Sequence, residues 1–411
     1  MIHVSPIKKA LVPTSSAVAT RLSSPNYDEF QGDAEIWEFI KKNPDTILKI
    51  KMPHCDVPSI EEALVEGSPE ALAHAAKRMA ALQENSEMRV MEQLLYVYEI
   101  ETQLRPVRQI GLGCFADTKD ILTENTPSGV IIRNEGIRES KMLGRAELIK
   151  ATRSFVGVVN NAVEDKNGQI LTALTAHARA QEPSHVVHDE RGNTHRVWLV
   201  TDPRQQQRFV QLFAAEPFAY VADGNHRSAA AAMLGYEHFM TVFFPARTMG
   251  ICPYNRLVQG GTLPLSALLD QLQQHFEVNG LGKVPPYQPE RTHDIGFYTD
   301  GRWFRLVPKP GSYDAANAVD CLDADIVQRH FFEACLGIAD ARDERLTFVG
   351  SNKDARYLQE QIDNGRYKYA LTLPPVTMDQ FIMVCRQRRM MPPKSTWFEP
   401  KIRSGLVVAL L

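Results

Sequence analysis

The densest chemical signal in the chain is residues 223–227, where a carboxylate, a glycine, an amide, an imidazole and a guanidinium are consecutive (Asp223-Gly224-Asn225-His226-Arg227). The apolar run before it predicts a buried strand, and the alanine-rich run after it predicts a helix. Because the first N–H groups of a helix lack partners and carry the positive end of its dipole, this turn predicts an anion site. Phosphate is the most natural ligand, with predicted contacts from Gly224, Asn225, Arg227 and Ser228.

The carboxylate of this motif has two interpretations. At the rim of a phosphate site, Asp223 could hold a divalent cation or accept a proton. Alternatively, Asp223 only caps the helix and Arg227 pairs with a carboxylate on the surface. The motif alone leaves both interpretations open.

A second strand-turn-helix pattern follows residues 130–132 and contains Glu135. Behind it, Arg138, Lys141 and Arg145 are spaced three and four residues apart, so on a helix they share one face as a basic stripe. Such a stripe is either solvated or, beside a buried Glu135, suited to a polyanionic ligand.

Length and composition define the class of protein. The 411 residues predict two portions, 1–260 and 261–411, divided after Gly260-Gly261. Short strands that alternate with helices predict an α+β fold with a mixed sheet and a C-terminal α/β portion. The net charge of −3 argues against nucleic acid as the main partner. Six dispersed cysteines and the lack of a long apolar run favour a cytoplasmic protein outside the membrane.

Several local sequence patterns predict secondary-structure elements rather than functional sites. Residues 33–42 and the stretch behind Ser68-Pro69 predict helices, and 93–101 pairs with 108–115 as neighbouring strands. Gly111 and Gly113 in the second strand do not form a dinucleotide loop, since no third glycine and no helix follow. His185 and His188 predict a loop or hairpin rather than a metal site.

The closing segment 391–401 is rich in proline, hydroxyls and ammonium groups. Its prolines forbid a helix, while Lys394, Ser395, Thr396 and Lys401 offer hydroxyl and ammonium groups. We expect this loop to return to the Asp223 turn.

The order of the motifs resembles the mostly bacterial family known as domain of unknown function 1015. Seven segments carry the resemblance across nearly the whole chain, namely Asn26-Tyr27-Asp28, Asn43-Pro44, Asn134-Glu135, Val200-Thr201-Asp202-Pro203, Asp223-Gly224-Asn225-His226-Arg227, Asn255-Arg256 and the closing segment 391–401. The resemblance also makes a cleaved N-terminal leader improbable, because residues from Ile7 onward resemble the family's first strand.

The Asp-Gly-x-His-Arg turn further resembles the ParB/sulfiredoxin superfamily, which includes free-serine kinases. That resemblance implies a nucleotide-binding core, ATP or ADP with Mg²⁺ held at Asp223, and transfer to the hydroxyl of a small molecule such as a free amino acid. It implies that Asp223 and His226 are catalytic groups on the phosphate side, and it makes Glu135 the best candidate for the base. Arg138, Lys141, Arg145, Asn255, Arg256 and Lys394 would add polar and positive groups for the phosphates.

Three departures from the family pattern keep a second function open. Where the family has histidine, this chain has Asn134, Asn225 and Asn255. Asparagine hydrogen-bonds but carries no proton at neutral pH, so the chain is either a small-molecule kinase or a ParB-like nucleotide-binding regulator without catalysis. The oligomeric state stays open, with a homodimer as one option.

Overall fold

The computed structural model describes residues 1–261, 263–341 and 343–411. Its strands are, in chain order, β1 Val4–Ser5, β2 Ile7–Pro13, β3 Met88–Glu101, β4 Gln109–Asp117, β5 Ile131–Arg133, β6 Ser154–Phe155, β7 Val159–Val163, β8 His185–His188, β9 Thr194–Val200, β10 Ala219–Asp223, β11 His238–Pro245, β12 Gly250–Cys252, β13 Asn255–Val258, β14 Phe276–Gly282, β15 Ile295–Thr299, β16 Arg302–Pro308, β17 Leu346–Val349, β18 Tyr369–Thr372, β19 Trp397–Glu399 and β20 Val408–Leu410.

The α-helices are α1 Ser16–Leu22, α2 Asp33–Lys42, α3 Leu48–Lys51, α4 Pro69–Glu84, α5 Glu139–Thr152, α6 Gln169–Ala180, α7 Pro203–Ala214, α8 Asn225–Met233, α9 Leu265–Leu272, α10 Asp323–Val327, α11 Ala334–Leu336, α12 Ala355–Asp363 and α13 Met378–Arg386. A π-helical stretch, Gln328–Glu333, joins α10 to α11. Short 3₁₀ helices lie at Tyr27–Glu29, Pro53–Cys55, Ile60–Glu62, Thr118–Asp120 and Ala246–Thr248.

Contacts divide the chain into two units. Unit 1 comprises Met1–Arg133, Ile137–Met249 and Pro400–Leu411, and unit 2 comprises Asn134–Gly136 and Gly250–Glu399. The expected division between residues 260 and 261 differs from this one. The chain leaves unit 1 at 249, and its last twelve residues rejoin unit 1 because β20 pairs with β2 and β6.

Unit 1 is built on one mixed sheet of twelve strands. The order is β5-β10-β7-β11-β4-β3-β2-β20-β6, with β1 beside β4 and the β8–β9 hairpin beside β3. The pairs β10–β5 and β11–β7 are parallel, and the other pairs are antiparallel. The α+β class and the mixed sheet are therefore confirmed, as is the pairing of β3 with β4.

Close packing explains the two glycines of β4. A Cβ atom on Gly113 would lie 2.0 Å from the Tyr96 ring, and one on Gly111 would lie 2.5 Å from the Phe243 carbonyl oxygen. Only glycine fits against these neighbours. The rejection of a dinucleotide loop here is confirmed, since both glycines lie inside β4, which pairs antiparallel with β3 and β11.

Two helices of unit 1 follow from local sequence signals. α2 begins and ends where the sequence predicted, at Asp33 and Lys42. The Ser68 hydroxyl accepts from the Ala71 N–H at 3.2 Å and Pro69 begins α4, so the predicted cap and first turn are confirmed. His185 and His188 lie in the β8–β9 hairpin, as expected.

Unit 2 contains a six-stranded antiparallel sheet in the order β14-β16-β15-β18-β13-β17 and a separate β12–β19 pair. Its core includes Phe276, Phe297, Phe331 and Tyr369, all nearly inaccessible to solvent. Trp303 and Trp397 are also buried. Within the described ranges of both units, none of the helices has the length and apolar character that a membrane span requires.

Candidate functional site

The Asp223 turn joins β10 to α8, as the sequence predicted. β10 ends at Asp223, α8 begins at Asn225, and Gly224 at the helix N-cap has a φ of +104°. This is the left-handed region, which favours glycine. A Cβ on Gly224 would also lie 3.0 Å from the Arg227 Nε atom, so the turn depends on this glycine.

Asp223 is the centre of an ion-pair network inside unit 1. Arg227 donates from Nη2 to Asp223 Oδ1 at 2.9 Å. Lys401 and Asn26 both donate to Asp223 Oδ2, at 3.3 and 3.1 Å. Lys401 also donates to Asp28 at 3.0 Å. Gly224 occupies the N-cap of α8 without a side-chain cap bond, and the carboxylate that pairs with Arg227 is Asp223 of the same turn.

The other residues of the motif connect helices. His226 Nε2 accepts from the Arg138 backbone N–H at 3.0 Å, which requires a neutral ring with its proton on Nδ1. This bond ties the N-cap of α5 to the start of α8. Ser228 is buried and its hydroxyl donates to the Asn225 carbonyl at 3.0 Å.

A pocket in unit 1 opens beside this network. Its walls are largely apolar and include Leu148, Ile149, Phe155, Val156, Phe239 and Met240. Three cationic side chains also line it: Lys51, Arg145 and Arg227. Arg227 donates to the Val158 carbonyl, and the Arg145 guanidinium lies 4.4 Å from the centre of the Tyr27 ring. An apolar wall with a cluster of cations suits a ligand that has both an apolar part and an anionic part.

Lys51 is the residue of this pocket that the sequence did not reveal. It is only 5 % exposed and donates to the Ser404 hydroxyl at 2.7 Å. Burial, and then the charges of Arg227 and Arg145, lower the pKa of Lys51 to about 7, although Asp28 and Asp223 act in the opposite direction. A lysine with a pKa near neutrality in a pocket is a common mark of a functional site.

The basic stripe predicted on α5 is divided between two environments. Arg138 precedes the helix as its N-cap, Lys141 is exposed, and Arg145 is half-buried at the pocket. Arg145 also donates to the Lys51 carbonyl at 3.4 Å. Of the three residues, only Arg145 lines the pocket.

The remaining predicted residues lie in unit 2. Arg256 is buried with its guanidinium 4.5 Å from the Phe348 ring centre, and burial lowers its pKa to about 10, although Tyr254 and the charge of Glu135 raise it. The Lys394 ammonium lies 5.5 Å from the Tyr254 ring centre. Glu135, Arg256 and Lys394 therefore belong to one neighbourhood around Tyr254. Ser395 lies next to this group in sequence, and its hydroxyl donates to the Pro392 carbonyl at 2.7 Å.

The three asparagines that replace the family's histidines, and the loop 394–396, are divided between unit 1 and unit 2. Asn255 donates to Gln288 and accepts from the Leu373 N–H, both at 2.9 Å, so its amide has a structural role. The Asn134 carbonyl accepts from the Met391 N–H at 2.8 Å. Asn225 and the Asp223 turn belong to unit 1, whereas Lys394, Ser395 and Thr396 belong to unit 2. The return of this loop to the turn stays a prediction.

Asp223 is poorly suited to hold Mg²⁺ in this arrangement. Both of its carboxylate oxygens accept from donors, and two of the donors are the cations Arg227 and Lys401. Mg²⁺ prefers oxygen ligands in a near-octahedral set, and it would be repelled by these cations. The donors around Asp223 therefore do not fit Mg²⁺ at this carboxylate.

A comparison with protein families identifies one family whose sequence model matches most of the chain. The sequence model of a family described as a protein of unknown function (DUF1015) matches residues 4–325. The chain belongs to the DUF1015 family. The matched range contains the Asp223 turn, Glu135 and Arg256, whereas the closing segment 391–401 lies beyond it. The resemblance noted from the ordered motifs is confirmed.

Solved structures similar to this DUF1015 protein were also found. A conserved hypothetical protein from Pyrococcus furiosus is 12% identical with a TM-score of 0.37, over 70% of this chain and 91% of that one. A free serine kinase in complex with AMP is 13% identical with a TM-score of 0.37, over 71% and 91%. SbnI with a C-terminal truncation, from Staphylococcus aureus, is 10% identical with a TM-score of 0.38, over 72% and 87%. A search of curated proteins found no similar sequence.

Proposed function

We propose that this chain is a nucleotide-dependent phosphotransferase, a kinase that uses ATP or ADP to phosphorylate the hydroxyl of a small molecule such as a free amino acid. One observation carries the proposal: Lys51, Arg145 and Arg227 line one apolar-walled pocket next to the N-terminus of α8. The three cations suit the phosphates, and the apolar wall suits the base or another apolar part of the nucleotide.

The charge balance of the pocket supports an anionic ligand. Arg227 and Arg145 both lower the pKa of Lys51, which means that the three cations repel one another in a buried setting. A bound phosphate would offset this repulsion. Phosphoryl transfer needs mainly positioning and neutralisation of the phosphate charge, and both could come from these side chains and the first N–H groups of α8.

We assign the base of the reaction to Glu135. It would accept the proton of the acceptor hydroxyl as the oxygen attacks the terminal phosphorus, while the bond from that phosphorus to the nucleotide breaks. The charge of Glu135 acts on buried Arg256, so the carboxylate has a cationic neighbour in unit 2. His226, with Nε2 engaged by Arg138, would position the phosphate turn rather than exchange a proton.

Asparagine at positions 134, 225 and 255 favours a second candidate, a nucleotide-binding regulator that does not catalyse transfer. Both functions require the same pocket. They differ in turnover, which is measured by the formation of a phosphorylated product from amino acids, hydroxy acids or polyols in the presence of ATP or ADP.

The first test compares two cations on α5 that lie one turn apart. Arg145→Gln should weaken binding of ATP, ADP or AMP by about 10- to 100-fold, because a hydrogen bond to a charged group contributes roughly 1.5–3 kcal/mol. Lys141→Gln removes the same charge from an exposed position of the same helix and should change the affinity little. Isothermal titration calorimetry measures both. Equal losses in the two variants would show that the pocket is not the nucleotide site.

The affinity should also depend on pH through Lys51. A bound phosphate favours the charged ammonium and raises its pKa, so binding takes up a proton wherever free Lys51, with a pKa of about 7, is neutral. Affinity should fall as the pH rises from 7 to 9, by up to about tenfold per pH unit while only the bound form is protonated. In this range the nucleotide phosphate, with a second pKa of about 6, is already ionised.

Lys51→Met should remove this dependence on pH. Lys49→Met is the matched control, since Lys49 lies on the same short helix and pairs with Asp56 at 3.6 Å. Titrations in buffers of different ionisation enthalpy count the protons that are taken up. An unchanged slope in Lys51→Met would contradict the assignment.

A further inference from the structure

A group of three side chains with mixed donor atoms lies in unit 1, apart from the residues of the nucleotide pocket. Asp33, His54 and Cys55 each offer one ligand atom, and the three atoms lie within 4.8 Å of one another. In the described ranges this is the one group of three or more His, Cys, Asp or Glu residues with such a spacing. Asp33 begins α2, and the other two residues are consecutive in the 3₁₀ helix Pro53–Cys55.

The imidazole of this group is buried and incompletely hydrogen-bonded. His54 is 2 % exposed, and its Nε2 atom lies 3.3 Å from Asp33 Oδ1. Its Nδ1 atom is also buried and has no hydrogen-bond partner in the described part of the chain. Because Nε2 faces Asp33, Nε2 is the nitrogen placed to bind an ion in this group, and Nδ1 on the opposite edge of the ring is left to a water or another second partner.

We propose that Asp33, His54 and Cys55 bind a divalent transition-metal ion of the Zn²⁺ class. Nitrogen, sulfur and carboxylate oxygen together are the donor set of zinc sites, whereas Mg²⁺ and Ca²⁺ take oxygen alone. Three protein ligands leave a further position for water or for an additional group. The ion can enter from the side of Asp33, whose side chain is 57% exposed.

The position of the group in the chain gives the ion a structural role. The 3₁₀ helix with His54 and Cys55 follows α3, and α3 ends at Lys51. An ion held by both segments would join the start of α2 to the residues that directly follow the pocket lysine. Apolar contacts among Ile36, Ile40, Leu48, Met52 and Cys55 already pack these segments together.

Binding would convert the Cys55 thiol into a thiolate, and its proton would go to the solvent. An ordinary cysteine thiol, with a pKa of about 8.5, already carries its proton at neutral pH, and Cys55 is buried. Metal ligation requires the deprotonated sulfur. The release of about one proton for each ion bound is therefore expected at neutral pH.

The test uses Zn²⁺ and Co²⁺ alone with the full-length metal-free chain. We expect one ion per chain by calorimetry, release of a proton to a pH indicator, and a thiolate-to-cobalt charge-transfer band with Co²⁺. Asp33→Asn changes an exposed side chain and should leave the fold intact, yet it should weaken Zn²⁺ binding by at least about 10- to 100-fold. Cys55→Ser should abolish the charge-transfer band.

The control is Cys385→Ser, which removes an equally buried cysteine from unit 2. It should leave the stoichiometry and the cobalt band unchanged. Absence of stoichiometric Zn²⁺ binding, or a cobalt band that survives in Cys55→Ser, would overturn the proposal. If Cys55→Ser does not fold, Asp33→Asn decides the question, since wild-type affinity in that variant would exclude the site.

Discussion

Glu135→Gln is expected to reduce phosphoryl transfer by about 10² to 10⁴-fold, because a general base typically contributes a factor of that size. Nucleotide affinity should change little, since we assign nucleotide binding to Lys51, Arg145 and Arg227 of unit 1. Steady-state transfer to amino acids, hydroxy acids and polyols is measured together with nucleotide binding. The effect should appear in kcat rather than in the dissociation constant.

Glu139→Gln is the matched control for this experiment. Glu139 is exposed at the first position of α5, four residues after Glu135, and its loss should leave transfer near the wild-type rate. Transfer that persists in Glu135→Gln would show that another group takes the proton. A wild type that binds nucleotide tightly but turns over none of the acceptors would establish the regulator instead.

In that case the triple variant Asn134→His, Asn225→His and Asn255→His tests whether the asparagines prevent catalysis. Regained turnover would show that the three asparagines suppress the chemistry, because imidazole can carry a proton at neutral pH and the amide cannot. Folding of the Asn255→His variant must be verified before its turnover is measured. Its side chain bonds both Gln288 and the Leu373 N–H, and a histidine must replace both bonds.

Arg227→Ala should weaken nucleotide binding by roughly 2 to 4 kcal/mol, as expected for the loss of a charge-assisted bidentate contact. The guanidinium pairs with Asp223 at the end of β10 and with the carbonyl of Val158, which directly precedes β7, so both sites hold it in place. Asp223 keeps Lys401 and Asn26 as partners in the variant, which should preserve the turn.

The Arg227→Lys variant distinguishes the contribution of the positive charge to nucleotide binding from that of the two-bond geometry of the guanidinium. Lysine retains the positive charge but cannot make two parallel bonds, so it should recover only part of the affinity. Thermal melts verify that both variants fold. Wild-type affinity in a folded Arg227→Ala protein would place the nucleotide elsewhere.

The sequence was most informative where a local rule determines the structure. Gly224 needs a left-handed φ, and Ser68-Pro69 begins a helix through bonds within one turn. The strands 93–101 and 108–115 could be paired because they are adjacent in sequence and strongly apolar. For the same reason the α+β class and the Asp223 turn could be predicted without coordinates.

Residues joined only by tertiary contacts were not predictable. Lys51 lies in an ordinary helical stretch, and nothing in its neighbours along the chain indicates that Arg145 and Arg227 lie close enough to lower its pKa. Lys401 was named as an ammonium group of the closing segment, but its contacts with Asp28 and Asp223 could not be predicted. Asp33 meets His54 and Cys55 across about twenty residues, which no spacing rule for metal ligands anticipates.

The late strand β20 has a consequence for how the chain folds as it is synthesised. β20 lies between β2 and β6 in the sheet of unit 1, yet the ribosome makes it only after all of unit 2. Until then one edge of β2 has no strand beside it, and an open edge of this kind can pair with another chain. Lys401, which contacts Asp223, and Ser404, which contacts Lys51, are likewise synthesised only after unit 2. While β2 lacks this partner, misassembly through its open edge can compete with folding, and we expect chaperones that shield open strands to bind the nascent chain at that stage.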